Sequence, residues 1–225
     1  MGRPKQPLIS RRKTLEVALK IIDAEGLDAL SIRRLGDAIN VRGISLYHHF
    51  KSKDDILVGV CELALSNVRT PNTTNKDWRE WLVGNATEYW RALRAHPNLI
   101  PILMRRHPLR IGLAEHNATA GLLAVQGVPP GVIMPLLEGL EALALGSAIY
   151  QSAEDANVQS DTWKAEYPFL FHVSQNRALG HDRVFEVMAA AAVDAIYAAF
   201  IAAQQTEAPA AVEKKAPKSR TTKPR

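Results

Sequence analysis

Apolar residues recur at three- and four-residue intervals along nearly the whole chain, and no valine- and isoleucine-rich segment alternates with polar residues as a half-buried strand does. The pattern predicts an all-α protein. Leu15, Ala18, Leu19 and Ile22 form the inner face of a first helix, which Gly26 ends. Ser31 is an N-cap for a second, short helix carrying Leu35, Ala38 and Ile39, and it stops at Asn40, a residue that tolerates the left-handed backbone of a tight turn. A third short helix is expected from about Gly43 to His49, with Ile44, Leu46 and Phe50 on its apolar side. Ser52 starts a fourth that runs to about Val68, and Pro71 to Lys76 reads as a hinge. Beyond it, Trp78, Trp81, Leu82, Ala86, Tyr89, Trp90 and Leu93 mark a long helix that stops before Pro97. Shorter helices follow near Asn98 to Arg106 and Leu109 to Val125, then long ones from Pro130 to about Ser152 and from His181 to Ala203.

Two short amphipathic helices around a break at residues 31–50 form a layout that reads DNA. Arg42, Ser45, Tyr47, His48 and His49 supply hydrogen-bonding groups for phosphates and base edges, and Lys53 sits where backbone amides at a helix start also attract phosphate. The alternative is two packed surface helices with a solvated polar face. Arg33-Arg34-Leu35 through Leu46-Tyr47-His48-His49-Phe50-Lys51-Ser52-Lys53 resembles the signature of the tetracycline-repressor (TetR) family of bacterial transcription regulators. The resemblance implies that the third helix enters the major groove, making Arg42, Gly43, Ser45, Tyr47 and His48 base or phosphate contacts. It also implies that Arg33, His49 and Lys53 hold the DNA backbone. Gly36 and Asn40 stand where that family usually has alanine and glycine, and Gly36 is expected to loosen its helix by roughly 1 kcal/mol relative to alanine.

Charge is unevenly placed. Residues 1–70 carry 12 Lys and Arg against 8 Asp and Glu, residues 71–203 carry 10 against 13, and residues 204–225 carry 6 against 2. Positive charge thus collects at the two ends, and the middle has no electrostatic reason to touch nucleic acid. We therefore expect a flexible basic arm at 1–9, a DNA-binding head at 10–70, a ligand-binding and dimerisation body at 71–205, and a proline-interrupted, disordered basic tail at 206–225. The one cysteine, Cys61, lies on an apolar helical face and is expected to be a buried thiol. Without an apolar leader or an uninterrupted apolar run of about 18 residues, a cytoplasmic protein with no membrane partner is expected.

In the body, Trp78-Arg79-Glu80-Trp81-Leu82, Leu93-Arg94-Ala95-His96-Pro97, Gly127 and Leu145-Gly146 resemble the tetracycline-repressor branch of the same family. That resemblance places effector contacts on Asn85, Tyr89, His107 and Thr119. The positions linked to drug-bound magnesium fall on Leu103 and Tyr150, which do not supply the same ligands. Hence no metal and no cofactor are expected, and the effector is a largely apolar small organic molecule contacting Asn85, Tyr89, His107, Thr119 and Tyr150. Gly139, Ala142, Ala144, Gly146 and Ala148, with the alanines of 181–203, let helix axes approach closely, and the family implies a four-helix homodimer interface; an ordinary intramolecular core is the alternative. No nucleophile-base pair or glycine-rich phosphate loop marks an enzyme. The implied function is a transcriptional regulator, a repressor released from an inverted-repeat operator on double-stranded DNA. A sequence-indifferent architectural DNA binder, and a small-molecule carrier or enzyme with a vestigial head, are the rivals.

Overall fold

The computed structural model describes residues 10–68, 77–105, 111–154 and 161–212, and every described element is helical. The head contains α1 (Arg11–Glu25), α2 (Ile32–Ala38), α3 (Gly43–Leu46) and α4 (Lys53–Ala64). Local chemistry sets most of their ends. Gly26, at φ +86°, terminates α1 with its N–H donating to the Ile22 carbonyl. Ser31 Oγ accepts from the Arg34 N–H and Ser52 Oγ from the Asp55 N–H, so both downstream helices start on side-chain caps. Asn40 takes φ +56° at the turn between α2 and α3. Ala18, Ile22, Leu35, Leu46, Phe50, Ile56 and Val60 bury themselves between these helices, and Cys61 is a buried thiol outside any disulfide.

The body holds α5 (Trp78–Ala95), α6 (Ile100–Arg105), α7 (Leu113–Val125), α8 (Pro130–Glu154), α9 (Asp161–Glu166), α10 (Pro168–Gln175) and α11 (His181–Val212). Its core is the mutual packing of α5, α8 and α11. Trp90 stacks on Phe185 with ring centroids 4.8 Å apart, and the Arg79 guanidinium lies over both Trp78 and Tyr197. A Cβ on Gly139 would stand 2.8 Å from Ile196 Cδ1, so this glycine serves the close crossing of α8 and α11 within the chain. Head and body meet where Asp23 pairs with His96 at 2.9 Å and the Asn98 amide donates to the Ile22 carbonyl at 2.9 Å.

Several boundaries differ from expectation. The third helix closes at Leu46, and residues 47–49 continue as turn. Ile44 is 74% exposed, not on the inner face. The reason is geometric: residues two apart on a helix point about 200° apart, so Ile44 and Leu46 cannot share a side. The fourth helix ends at Ala64, short of Val68. The last helix passes Ala203 and runs to Val212, into the segment expected to be disordered, since Ala, Gln and Glu favour helix there. Among the described residues, two stretches, Pro130–Gln151 and His181–Thr206, are long and apolar enough to cross a membrane by composition, with mean hydropathy 1.6 and 1.9. Here both pack in the helical body. The expected arm at 1–9, the hinge, and the tail beyond 212 lie outside the described residues.

Candidate nucleic-acid interface and ligand pocket

The turn between α2 and α3 is tight because glycine occupies two contact points. A Cβ on Gly36 would meet the Val41 carbonyl oxygen at 2.9 Å, and one on Gly43 would meet Ile32 Cγ2 at 3.1 Å. The resulting surface is a shallow groove that brings together Arg33, Arg42, Gly43 and Tyr47, bordered by Ile32 and Ile44. Ser45, His48, His49 and Lys53 lie outside that groove lining; the last three are exposed and Ser45 half-buried. Arg33 is held loosely by Asp37 at 3.9 Å, one helical turn away, a solvated pairing that a phosphate can displace. Ile44 is an addition to the expected set: an exposed aliphatic group on such a surface suits the methyl group of thymine. Its signal in the sequence was the two-residue spacing to Leu46.

Behind this surface Arg11 acts as a brace. Its Nη1 donates to the His49 carbonyl at 2.8 Å, its Nη2 pairs with Asp55 Oδ1 at 2.9 Å, and its guanidinium lies 4.6 Å from the Phe50 ring centre. Asp55 Oδ2 in turn accepts the Lys51 N–H at 2.9 Å. The Arg11 hydrogen bond and then the Lys51 N–H hold the Asp55 carboxyl below the usual carboxylate range. The five residues thus join the start of α1, the turn after α3 and the first turn of α4. Arg34, by contrast, is tied to Glu25 at 2.6 Å.

In the body, Val68, α5, α7 and α8 line a hollow of about 90 Å³ that is open on one side. Val68, Leu82, Ala86, Leu137 and Leu140 make its apolar wall, and Asn85, Tyr89, Glu115, His116, Thr119 and Glu141 bring the polar groups. Such a lining is characteristic of small-molecule sites. Tyr89 donates to Glu141 across a long 3.4 Å, and burial, with the nearby Glu141 carboxylate second, pushes the phenol pKa well up, so Tyr89 stays a neutral donor. His116 Nδ1 lies 3.0 Å from the Gly112 carbonyl, which can only accept; Nδ1 therefore carries a proton in that contact.

Three of the five expected effector contacts, Asn85, Tyr89 and Thr119, line this hollow. His107 lies outside the described residues. Tyr150 is elsewhere: 67% exposed, it borders a separate groove with Gly146, Gln151, Arg177 and His181. It follows Glu141 by two and a half helical turns at 3.6 residues per turn, which carries it to the opposite side of α8. Leu103 is buried in the core. Glu115, His116 and Glu141 were not foreseen, because only the meeting of α7 and α8 with α5 makes them neighbours. Among the described residues no group of three His, Cys, Asp or Glu side chains is placed to hold a metal ion.

Comparison with known proteins agrees with this geometry. The family model of bacterial regulatory proteins, tetR family, matches residues 15–60. An HTH-type transcriptional regulator of Saccharopolyspora erythraea is 32% identical over 177 residues, 73% of this chain and 75% of the relative. The class C tetracycline repressor of Escherichia coli is 28% identical over 153 residues, 67% of this chain and 70% of its own. Among solved structures, the Streptomyces coelicolor TetR family protein ActR in complex with actinorhodin superposes with a TM-score of 0.68 at 28% identity, covering 86% of this chain and 99% of that one.

Proposed function

The chain belongs to the tetR family of bacterial regulatory proteins and is a DNA-binding transcriptional regulator; from that premise we propose that it is a cytoplasmic, homodimeric repressor, released from an inverted-repeat operator by a small organic effector. In this reading residues 10–70 read the DNA and residues 71–205 hold the effector and the partner subunit. Arg42, Gly43, Ser45, Tyr47 and His48 face bases or nearby phosphates. Arg33, His49 and Lys53 grip the backbone.

The observation that carries the reading is Val68. It stands just past the end of α4, a helix whose first turn is tied through Asp55 to Arg11 and the turn after α3, and Val68 is itself part of the pocket wall. A molecule that fills the hollow therefore presses on the far end of a helix anchored in the DNA-reading head. The Asp23–His96 pair and the Asn98–Ile22 hydrogen bond link the same two regions at the end of α1. Release requires only that the effector favour one arrangement of α4 over the other, and couplings of this kind are typically about 1–3 kcal/mol.

Dimerisation is supported by apolar side chains that α8 and α11 leave in solvent: Met134, Ile149 and Tyr150 on one, Val187 and Met188 on the other. Only 17% of the apolar stretch of α11 is buried within the chain. A patch of this kind is rare on a monomer and is covered most simply by a second copy through a two-fold axis.

Selection of genomic fragments by the purified protein tests the whole reading. Enriched fragments are expected to share an inverted repeat with half-sites about one helical turn apart, or at a related spacing set by the body. Binding that survives scrambling of the sequence would favour an architectural DNA binder instead. Ligand binding without any DNA binding would favour a carrier with a vestigial head.

A further inference from the structure

We propose that the basic stretch at residues 214–225 is a second nucleic-acid-binding element, which takes duplex DNA outside the operator held by the head and does not read its sequence. The charge forms a block. Lys214, Lys215, Lys218, Arg220, Lys223 and Arg225 stand within twelve positions, whereas residues 184–213 contain no Lys or Arg and carry four carboxylates, Glu186, Asp194, Glu207 and Glu213. Double-stranded DNA presents one negative charge per about 1.7 Å of helix axis. The body is a far weaker attractant, with 10 Lys and Arg against 13 Asp and Glu over residues 71–203. Between the six cations stand only Ala, Pro, Ser and Thr, so the block has no aromatic ring to stack on unpaired bases and no large apolar group to enter a membrane. Its chemistry is that of phosphate contacts along a duplex.

The described helices carry this block away from the DNA-reading surface. α5 meets the head at its C-terminal end, where His96 pairs with Asp23. α11 runs antiparallel to α5: Asp182 pairs with Arg91 at 2.9 Å, Phe185 stacks on Trp90, and Tyr197 meets Trp78 at the far end with ring centroids 5.4 Å apart. At about 1.5 Å per residue, the 18 residues of α5 span about 27 Å, and α11 continues from Tyr197 to Val212 for about 22 Å more. Measured along the helices, the block thus begins about 50 Å from the joint between body and head. Fully extended at about 3.5 Å per residue, residues 213–225 reach about 45 Å. They fall short of the joint, and the groove of Arg33, Arg42 and Tyr47 belongs to the head on its other side. DNA in the grip of the same head is therefore out of reach, and the phosphates left to the block are those of flanking DNA or of a separate duplex.

The test compares the full-length protein with a full-length variant carrying Lys214→Gln, Lys215→Gln, Lys218→Gln, Arg220→Gln, Lys223→Gln and Arg225→Gln, checked for folding by circular dichroism. Both are titrated onto a selected operator trimmed to its inverted repeat and onto the same repeat inside a long fragment. The complex on the immobilised trimmed repeat is then challenged with a labelled duplex that lacks the repeat. The two proteins are expected to bind the trimmed repeat within twofold of each other and with the same salt slope. Wild type is expected to exceed the variant at least tenfold, on the long fragment if the block holds flanking DNA and in capture of the labelled duplex if it holds a separate one. Either gain should fall at least about a hundredfold between about 50 and 200 mM salt, as six phosphate contacts require. Equal behaviour of the two proteins in both arms overturns the proposal. Weaker binding of the variant to the trimmed repeat, with a lower salt slope, overturns the placement by showing that the block reaches its own operator. Tighter wild-type binding to single-stranded RNA or to phosphatidylserine vesicles than to the labelled duplex overturns the choice of DNA as partner.

Discussion

Replacing Arg11 by alanine separates two roles that look alike in a basic N-terminal segment: touching DNA and holding the surface that does. The side chain is 46% exposed and its partner Asp55 27%, so the ion pair by itself is worth at most about 1 kcal/mol. The charge-assisted hydrogen bond to the His49 carbonyl adds about 1 kcal/mol at this exposure, and the contact with the Phe50 ring about 0.5 kcal/mol. The expected loss is therefore about 2 kcal/mol, a fall in Tm of about 4–8 °C if the chain unfolds as one unit of this size. Because the guanidinium fastens the turn after α3 and the start of α4, operator affinity should fall for every sequence alike. The slope of log affinity against log salt should stay unchanged, whereas loss of a phosphate contact lowers it by about 1. Arg11→Lys retains the charge but cannot span both acceptors, and should recover less than half of the lost stability. An unchanged Tm together with a reduced salt slope would refute the brace and make Arg11 a phosphate ligand.

Four further outcomes are expected. Lys53→Ala should weaken binding to all DNA sequences about equally and lower the salt slope by about 1 per subunit, whereas Arg42→Ala and Tyr47→Ala should alter the ranking of operator variants in a competition assay. Gly36→Ala should lower Tm by a few degrees, since a Cβ 2.9 Å from the Val41 carbonyl outweighs the roughly 1 kcal/mol that alanine gains in helix propensity; a rise in Tm would show that the turn is not so tight. Asp55 has a folded-state pKa below its unfolded value, so its contribution is fully present above pH of about 4 and is lost as pH falls through the folded value. The Tm gap between wild type and Asp55→Asn should accordingly narrow from pH 5 downward, and a constant gap would argue against the Arg11–Asp55 pair. Any effector found should raise Tm equally with and without EDTA; stabilisation that disappears with the chelator would restore a metal to the site.

Helix identity and most helix ends were legible from the chain alone because they depend on residues within a few positions of one another: the caps at Ser31 and Ser52, the left-handed turn at Asn40, the stop at Gly26. The motif around Tyr47 was legible for the same reason, being one continuous stretch. Periodicity also held the information that Ile44 cannot share a face with Leu46, though an apolar residue in a short helix invites the opposite assignment. What only the tertiary structure decided involves residues far apart in the chain. Arg11 finds its partners 38 and 44 positions away, Gly36 acquires its purpose from the approach of Val41 and Gly43, and the pocket draws Tyr89 and Glu141 together from 52 positions apart. Tyr150, on the same helix as Glu141, is carried out of that pocket by half a turn. Local sequence specifies which side of a helix is apolar, but the charge and shape of a cavity arise only when several such sides meet, and that meeting is set by packing.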